Sequence, residues 1–312
     1  MNADLVNALA LGIALSAATL GAARPDGEPV TRRAPVLAVP TPDPDATELA
    51  DARGVVVPVA PYARVISLHP VGDHLLRELL EPERLVAYTG YTHDQHPEAW
   101  RFGDRSTVGA SRDIEAILAL KPDLVVTSNF AEEAWMQRLR DAGIQVFDLG
   151  EARGVATTLA GVRALGVLLA VQTRAARLDA RIRRETAALE KALPEDRPKG
   201  IYLTVFGDSF FGGSAGTSYA DLLHYGGVID LAAEQGYREW PKFTPEQLLA
   251  LDPALIVTQG GMAGVICGHS ILRDLAACEA DGRIIELSEG YHGDPGLGVI
   301  EAAATVQGLL FP

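Results

Sequence analysis

Two stretches decide the fold: Glu115-Ala-Ile-Leu-Ala-Leu-Lys-Pro-Asp-Leu-Val-Val126 and Glu246-Gln-Leu-Leu-Ala-Leu-Asp-Pro-Ala-Leu-Ile-Val257. Each starts as an amphipathic helical turn and runs into a proline, Pro122 or Pro253, whose missing N–H and fixed φ stop the helix. A short β-branched strand follows in both. A chain that carries one helix-to-strand unit twice reads as two domains of one kind.

The flanking sequence extends both copies. Arg64-Val-Ile-Ser-Leu68 and Gly200-Ile-Tyr-Leu-Thr-Val205 each open one half as a short buried strand. Further strands are expected at 85–88, 144–147 and 283–287, with helices at 71–80, 131–141 and 270–277. Such alternation demands a parallel or mixed sheet with helices on its faces. The expected fold class is therefore α/β: two small α/β lobes joined by one long rigid helix, with a ligand cleft between them. The connector is placed at 157–194, where Leu178, Ile182 and Leu189 keep a helical spacing among charges until Pro194 and Pro198 end it.

The remaining chain is address and tether. Residues 1–24 hold an uncharged Ala/Leu-rich run ending in small residues, as an export signal does. Asp4 stands where a positive n-region belongs, so an uncleaved anchor is the alternative. Residues 25–60 are Pro-rich and read as a tether, 61–156 as the N-terminal lobe and 195–312 as the C-terminal lobe. After signal cleavage a soluble, periplasmic or otherwise extracytoplasmic monomer is expected. Cys267 and Cys278 permit one crosslink there without specifying it.

The 312 residues are 48% hydrophobic and 22% charged, with a formal charge of −14. That surface repels phosphate backbones, which argues against a nucleic-acid partner. The loop 207–216 is Gly-rich but lacks the Lys-Ser/Thr ending of a nucleotide-binding loop. Asp208, Ser209 and His224 make a hydrolytic set only on paper, since no Gly-x-Ser-x-Gly elbow and no His-Glu-x-x-His are present. No enzyme is expected.

Several ordered signatures together resemble the substrate-binding proteins of the iron-siderophore, haem and vitamin B12 class of ABC importers. They are Arg64-Val-Ile-Ser-Leu-His-Pro70, Val108 to Val126, Ser218-Tyr-Ala-Asp-Leu-Leu-His-Tyr-Gly-Gly227, Thr244 to Val257 and Gly282-Arg-Ile-Ile-Glu-Leu287. The resemblance covers about residues 61–310 and implies two α/β lobes bridged by a single helix. It also implies a permease with its ATPase as partner, docked through an acidic residue on each lobe. Asp221 matches the second-lobe position. In the first lobe His74 stands at the usual glutamate position with Asp73 beside it. The alternative is that Asp73 and Asp221 are plain helix-surface charges.

Ligands of α/β domains meet the loops at the C-terminal strand ends. Those loops supply His69, Tyr91, His93, Trp100, Asn129 and Phe130 from the first half, and Phe206, Phe210, Trp240, Gln259, Met262, Tyr291 and His292 from the second. Their aromatic share suits a large planar or macrocyclic chelate. For Trp100 and Phe130 core packing is the alternative. Tyr91 or His69 is a candidate axial ligand to a chelated iron or cobalt. His69, His93, His96, Cys267, His269, Glu289, His292 and Asp294 offer nitrogen, sulfur and carboxylate donors for a transition metal.

The expected function is capture of a metal chelate, whether cobalamin, haem or a ferric siderophore, and delivery to the permease. No obligatory cofactor is called for. The alternatives are a free transition-metal-ion binding protein using cleft histidines and carboxylates, a non-transport sensor or interaction protein, and a metal-dependent hydrolase.

Overall fold

The structure is a computed structural model that describes residues 38–109, 113–128, 132–280 and 282–312. The chain divides into two compact units. The N-terminal lobe holds residues 38–188 of this range together with Gly293–Ile300, and the C-terminal lobe holds Leu189–His292 and Glu301–Pro312. The return of 293–300 to the first lobe differs from the sequence reading, which gave all of 195–312 to the second.

The N-terminal lobe opens with a hairpin of β1 (Glu48–Ala50) and β2 (Val56–Pro58). Its sheet comprises β3 (Val65–Ser67), β4 (Leu85–Thr89), β5 (Ser106–Val108), β6 (Leu124–Thr127) and β7 (Gln145–Asp148). They lie in the order β5-β4-β3-β6-β7 with every neighbouring pair parallel. The helices between them are α1 (Pro70–Leu79), α2 (Gly90–Gln95), α3 (Ile114–Ala119) and α4 (Glu133–Asp141). β3 and β6 are buried along their whole length, as strands covered on both faces must be. One core cluster under them joins Ile66, Val125, Ile117, Met136 and Leu139.

The region 157–194 resolves into α5 (Val155–Leu168) and α6 (Gln172–Lys191) rather than one continuous helix. The break falls at Ala170, which takes a left-handed φ of 56°. Gly166 makes it feasible, because a Cβ there would collide with the Ala175 side chain. The chain enters the second lobe from the 20-residue α6.

The C-terminal sheet is mixed, in the order β11-β9-β8-β12-β13 with β10 beside β8. Its strands are β8 (Lys199–Phe206), β9 (Ser209–Gly213), β10 (Ile229–Asp230), β11 (Lys242–Phe243), β12 (Leu255–Gln259) and β13 (Arg283–Leu287). β8, β10, β12 and β13 pair in parallel, while β9 runs opposite to them and pairs antiparallel with both β8 and β11. The helices are α7 (Ser218–Tyr225), α8 (Leu231–Glu234), α9 (Pro245–Leu251), α10 (Met262–Gly268), α11 (Glu289–Gly293) and α12 (Gly298–Leu310).

The duplicated unit is real in space: α3 leads to β6 and α9 leads to β12. Both joints pass through a non-glycine residue in the left-handed region immediately before the proline, Lys121 at φ 48° and Asp252 at φ 43°.

Several local expectations change. Residues 48–58 of the expected tether are packed into the lobe, where Val57 is buried and Asp51 accepts hydrogen bonds from the backbone N–H of Arg53, Val55 and Asp148. The Gly-rich loop is largely strand β9, paired to β8 through a tight turn at Gly207. Residues 270–277 form two 3-10 turns, Leu272–Asp274 and Ala276–Cys278, instead of a helix. Asp252 accepts the Ala276 N–H there and the Cys267–Cys278 disulfide fastens the second turn. The candidate signal peptide lies outside the described residues. Among those described, no helix is long and apolar enough to cross a membrane.

Candidate functional site

Parallel pairing puts the C-terminal ends of β3, β4 and β6 on one edge of the first sheet. His69 leaves β3 in extended conformation and caps α1, its Nδ1 accepting the Val71 N–H at 3.2 Å. The same device recurs at His96, which accepts from Glu98 N–H at 3.1 Å, and at His269, which accepts from Ile271 N–H at 3.3 Å. An imidazole whose Nδ1 accepts carries its proton on Nε2, so it presents a donor rather than a free lone pair. His69 and His269 are thus built as hydrogen-bond donors more than as metal ligands.

Tyr91 sits half-buried in the first turn of α2, which replaces the expected 91–96 loop. Its hydroxyl occupies the space a Cβ on residue 293 would need, so Gly293 is what admits it. His93 is exposed and pairs with Asp94 at 2.9 Å. Trp100 is 76% exposed on a 3-10 turn, which overturns core packing for it. Asn129 and Phe130 lie outside the described residues.

Asp73 is fully buried, and its carboxylate accepts from the Thr89 N–H and hydroxyl and from the Thr92 hydroxyl. Burial pushes its pKa up to about 7 against the pull of these bonds and one from Ser67. A side chain so enclosed cannot meet a partner surface, which corrects the docking role expected for it. Asp221 is half-buried in the first turn of α7.

His74, at the position next to it, faces into the lobe. Its ring packs on His96 with centroids 4.2 Å apart and edge-on to Phe102 at 5.6 Å. Its Nε2 lies 3.9 Å from Asp294 Oδ2. Burial, with Arg77 nearby, lowers the His74 pKa to about 3, and burial, with His74 nearby, lowers that of His96 to about 4. Asp294 is raised to about 6 by its own burial, although it accepts the Gly296 and Gly298 N–H groups at 2.9 and 2.8 Å. Of the donors expected to hold a metal, His96 and Asp294 are therefore brought together, and the residue that completes the group is His74. The sequence marked His74 only as a departure at the docking position, because its partners are remote along the chain.

On the second sheet the ends of β8, β12 and β13 share one edge. Phe206 and Phe211 pair edge to face at 6.1 Å, with Lys242 Nζ 5.7 Å from the Phe211 centroid. Phe210 points the other way into the core beside Leu203 and Leu248, so it is not a ligand contact. Strand alternation accounts for this, since neighbours in β9 face opposite sides. Gln259 closes β12 and accepts the Thr204 hydroxyl at 2.7 Å. Met262 opens α10 and packs against the same core. Trp240, Glu289, Tyr291 and His292 are half-buried, the last three on α11 where a loop was expected. Cys267 is oxidised and leaves the metal set.

His292 joins two residues that the sequence did not single out. The Tyr202 and Tyr219 rings stack at 3.7 Å, and both hydroxyls approach His292 Nδ1, Tyr219 at 3.3 Å and Tyr202 closer. Gly213 admits the Tyr219 ring, where a Cβ would collide. The Tyr219 pKa rises to about 12 through burial, while burial lowers that of His292. The array is neutral, aromatic and hydrogen-bonded. The hydrolytic set is not assembled, since His224 pairs with Glu190 at 2.6 Å on the surface.

Each sheet carries aromatic, polar and imidazole groups at its C-terminal strand ends, the edge at which α/β domains take ligands. The family model described as periplasmic binding protein matches residues 65–282, and the chain belongs to that family. This bears out the resemblance read from the motifs, and the family is one of binding proteins, not enzymes. The chain is 24% identical over 276 residues to a cobalamin-binding protein of Halobacterium salinarum, covering 85% of this chain and 72% of that one. Its fold matches the periplasmic haem-binding protein HutB of Vibrio cholerae with a TM-score of 0.67 at 20% identity, over 80% of this chain and 99% of that one. The haem-binding protein RhuT of Roseiflexus sp. RS-1 matches with a TM-score of 0.64 at 22% identity, over 78% and 98%.

Proposed function

We propose that the chain is the extracytoplasmic receptor of an ABC importer for a metal chelate of the corrinoid kind, which it hands to a permease powered by a separate ATPase. The observation that carries this reading is the match to the cobalamin-binding protein along 85% of the chain. The half-buried Tyr91, Phe206, Phe211, Trp240 and Tyr291 supply apolar surface suited to a macrocycle, and the Nε2 donor of His69 and the amide of Gln259 supply directed hydrogen bonds. The disulfide fits an oxidising compartment. The net acidic charge favours approach to a basic permease surface, with Asp221 the remaining docking candidate of the expected pair.

Titration of the purified chain with cyanocobalamin, haemin and a ferric siderophore, read by absorbance and native mass spectrometry, tests the reading. Saturable uptake of one corrinoid per chain is expected. Binding of haemin or the siderophore alone overturns the corrinoid assignment, and binding of none overturns the chelate role.

A further inference from the structure

We propose that His74, His96 and Asp294 form a resident site for one divalent transition cation of the zinc type inside the N-terminal lobe. The proposal does not rest on the chelate reading, because all three residues belong to one lobe and are each less than a tenth exposed.

Each residue offers one ligand atom, and these atoms lie within 4.8 Å of one another. His74 Nε2 is buried without a hydrogen-bond partner. Its 3.9 Å approach to Asp294 Oδ2 is too long for a hydrogen bond. A buried nitrogen left unpaired beside a buried carboxylate is destabilising, and a cation between them satisfies both at once. Tetrahedral zinc with bonds of about 2.0–2.1 Å needs donors roughly 3.4 Å apart, so the side chains close modestly around the ion.

The donor set also selects the ion. Two imidazoles and one carboxylate leave a fourth position for water, a pattern that suits zinc, whereas calcium and magnesium favour oxygen ligands. The carboxylate is already oriented, since its two oxygens accept the Gly296 and Gly298 N–H groups and retain lone pairs for a metal. Unlike His69 and His269, His96 has two further metal donors beside it, and coordination through either of its nitrogens gives up the bond from the Glu98 N–H, a loss that the metal bond must offset. The ion would join three separate segments: the second turn of α1, the C-terminal cap of α2 and the turn before α12.

The full chain, stripped with dipicolinate and dialysed against Zn2+, is examined by metal analysis and thermal melting. About one bound zinc per chain and a rise in Tm of several degrees are expected. His74→Gln and Asp294→Asn should each abolish both. No stoichiometric zinc in the parent chain, or unchanged stoichiometry in folded variants, overturns the site. Zinc X-ray absorption of the parent keeps the test decisive if a variant misfolds: two imidazoles with oxygen ligands are expected, and any other set refutes it. Cyanocobalamin titration of the same samples separates the two readings, because loss of corrinoid binding with zinc retained sinks only the receptor assignment.

Discussion

Asp73 accepts hydrogen bonds from three polar groups around it. Replacing it with Ala strands the Thr89 N–H and one of the Thr89 and Thr92 hydroxyls, which lie 3.1 Å apart and are left to pair with each other. Each orphaned group costs about 1–3 kcal/mol, so Asp73→Ala should lose roughly 3 kcal/mol or more in urea unfolding. A surface charge would lose almost nothing. Tyr219 gives a residue-scale pH prediction. Its folded pKa of about 12 lies above the ordinary value of 10.0, so the folded state holds the proton longer than the unfolded state. The associated stability is fully present below pH 10 and falls as pH rises from there toward 12. Alkaline titration at 295 nm should show a late-ionising tyrosine that is lost in Tyr219→Phe, and unfolding should ease across that window more steeply in the parent than in the variant, where Tyr62, Tyr88 and Tyr225 still have raised pKa values. At this scale the sequence was legible for type and not for orientation. The edge positions of Tyr91, Gln259 and His292 follow from strand ends, whereas Phe210 and Asp73 turned inward, and His74 acquired its meaning from a partner far along the chain.

The elements that sequence reads well are those with two-sided burial. β3, β6 and β8 fall nearly at the expected residues, because apolar β-branched runs have few other ways to be covered, and the edge strand β13 is read at its exact bounds although only Ile285 and Leu287 are buried in it. Short helices hide, since α10 and α11 each carry glycines that weaken helix propensity. What holds α10 is tertiary: Glu286 accepts the Ala263 N–H, and the disulfide ties Cys267 to the following turns. Reduction with dithiothreitol, or Cys267→Ser with Cys278→Ser, should lower stability by about 2–3 kcal/mol for a loop of 11 residues, read from urea midpoints. The hairpin makes a parallel case. Asp51 caps its turn and binds Asp148 N–H, while Arg53 bonds to the Asp148 carboxylate at 2.6 Å. Asp51→Ala should therefore cost roughly 2 kcal/mol or more, an outcome a mobile tether would not give.

For the molecule as a whole, two related lobes and a helical connection were legible from a repeated motif and one charged helical run. The return of 293–300 was not, because nothing in its composition marks a change of lobe. Binding is the global test of the receptor reading. A chelate present at a hundred times its Kd should stabilise the fold by about 2.7 kcal/mol, raising Tm with the cognate chelate and leaving it unchanged with the others.

Lys121 and Asp252 suggest something about the chain's descent. Each bends the backbone into an unfavourable left-handed step just before a proline, at the same joint of its lobe. Two unrelated domains would have little reason to settle on one awkward solution, whereas a copied template would hand it to both. The joint is then a trace of ancestry, and it is also where either lobe could be improved by exchanging the residue for Asn or Gly, which accept that turn more readily.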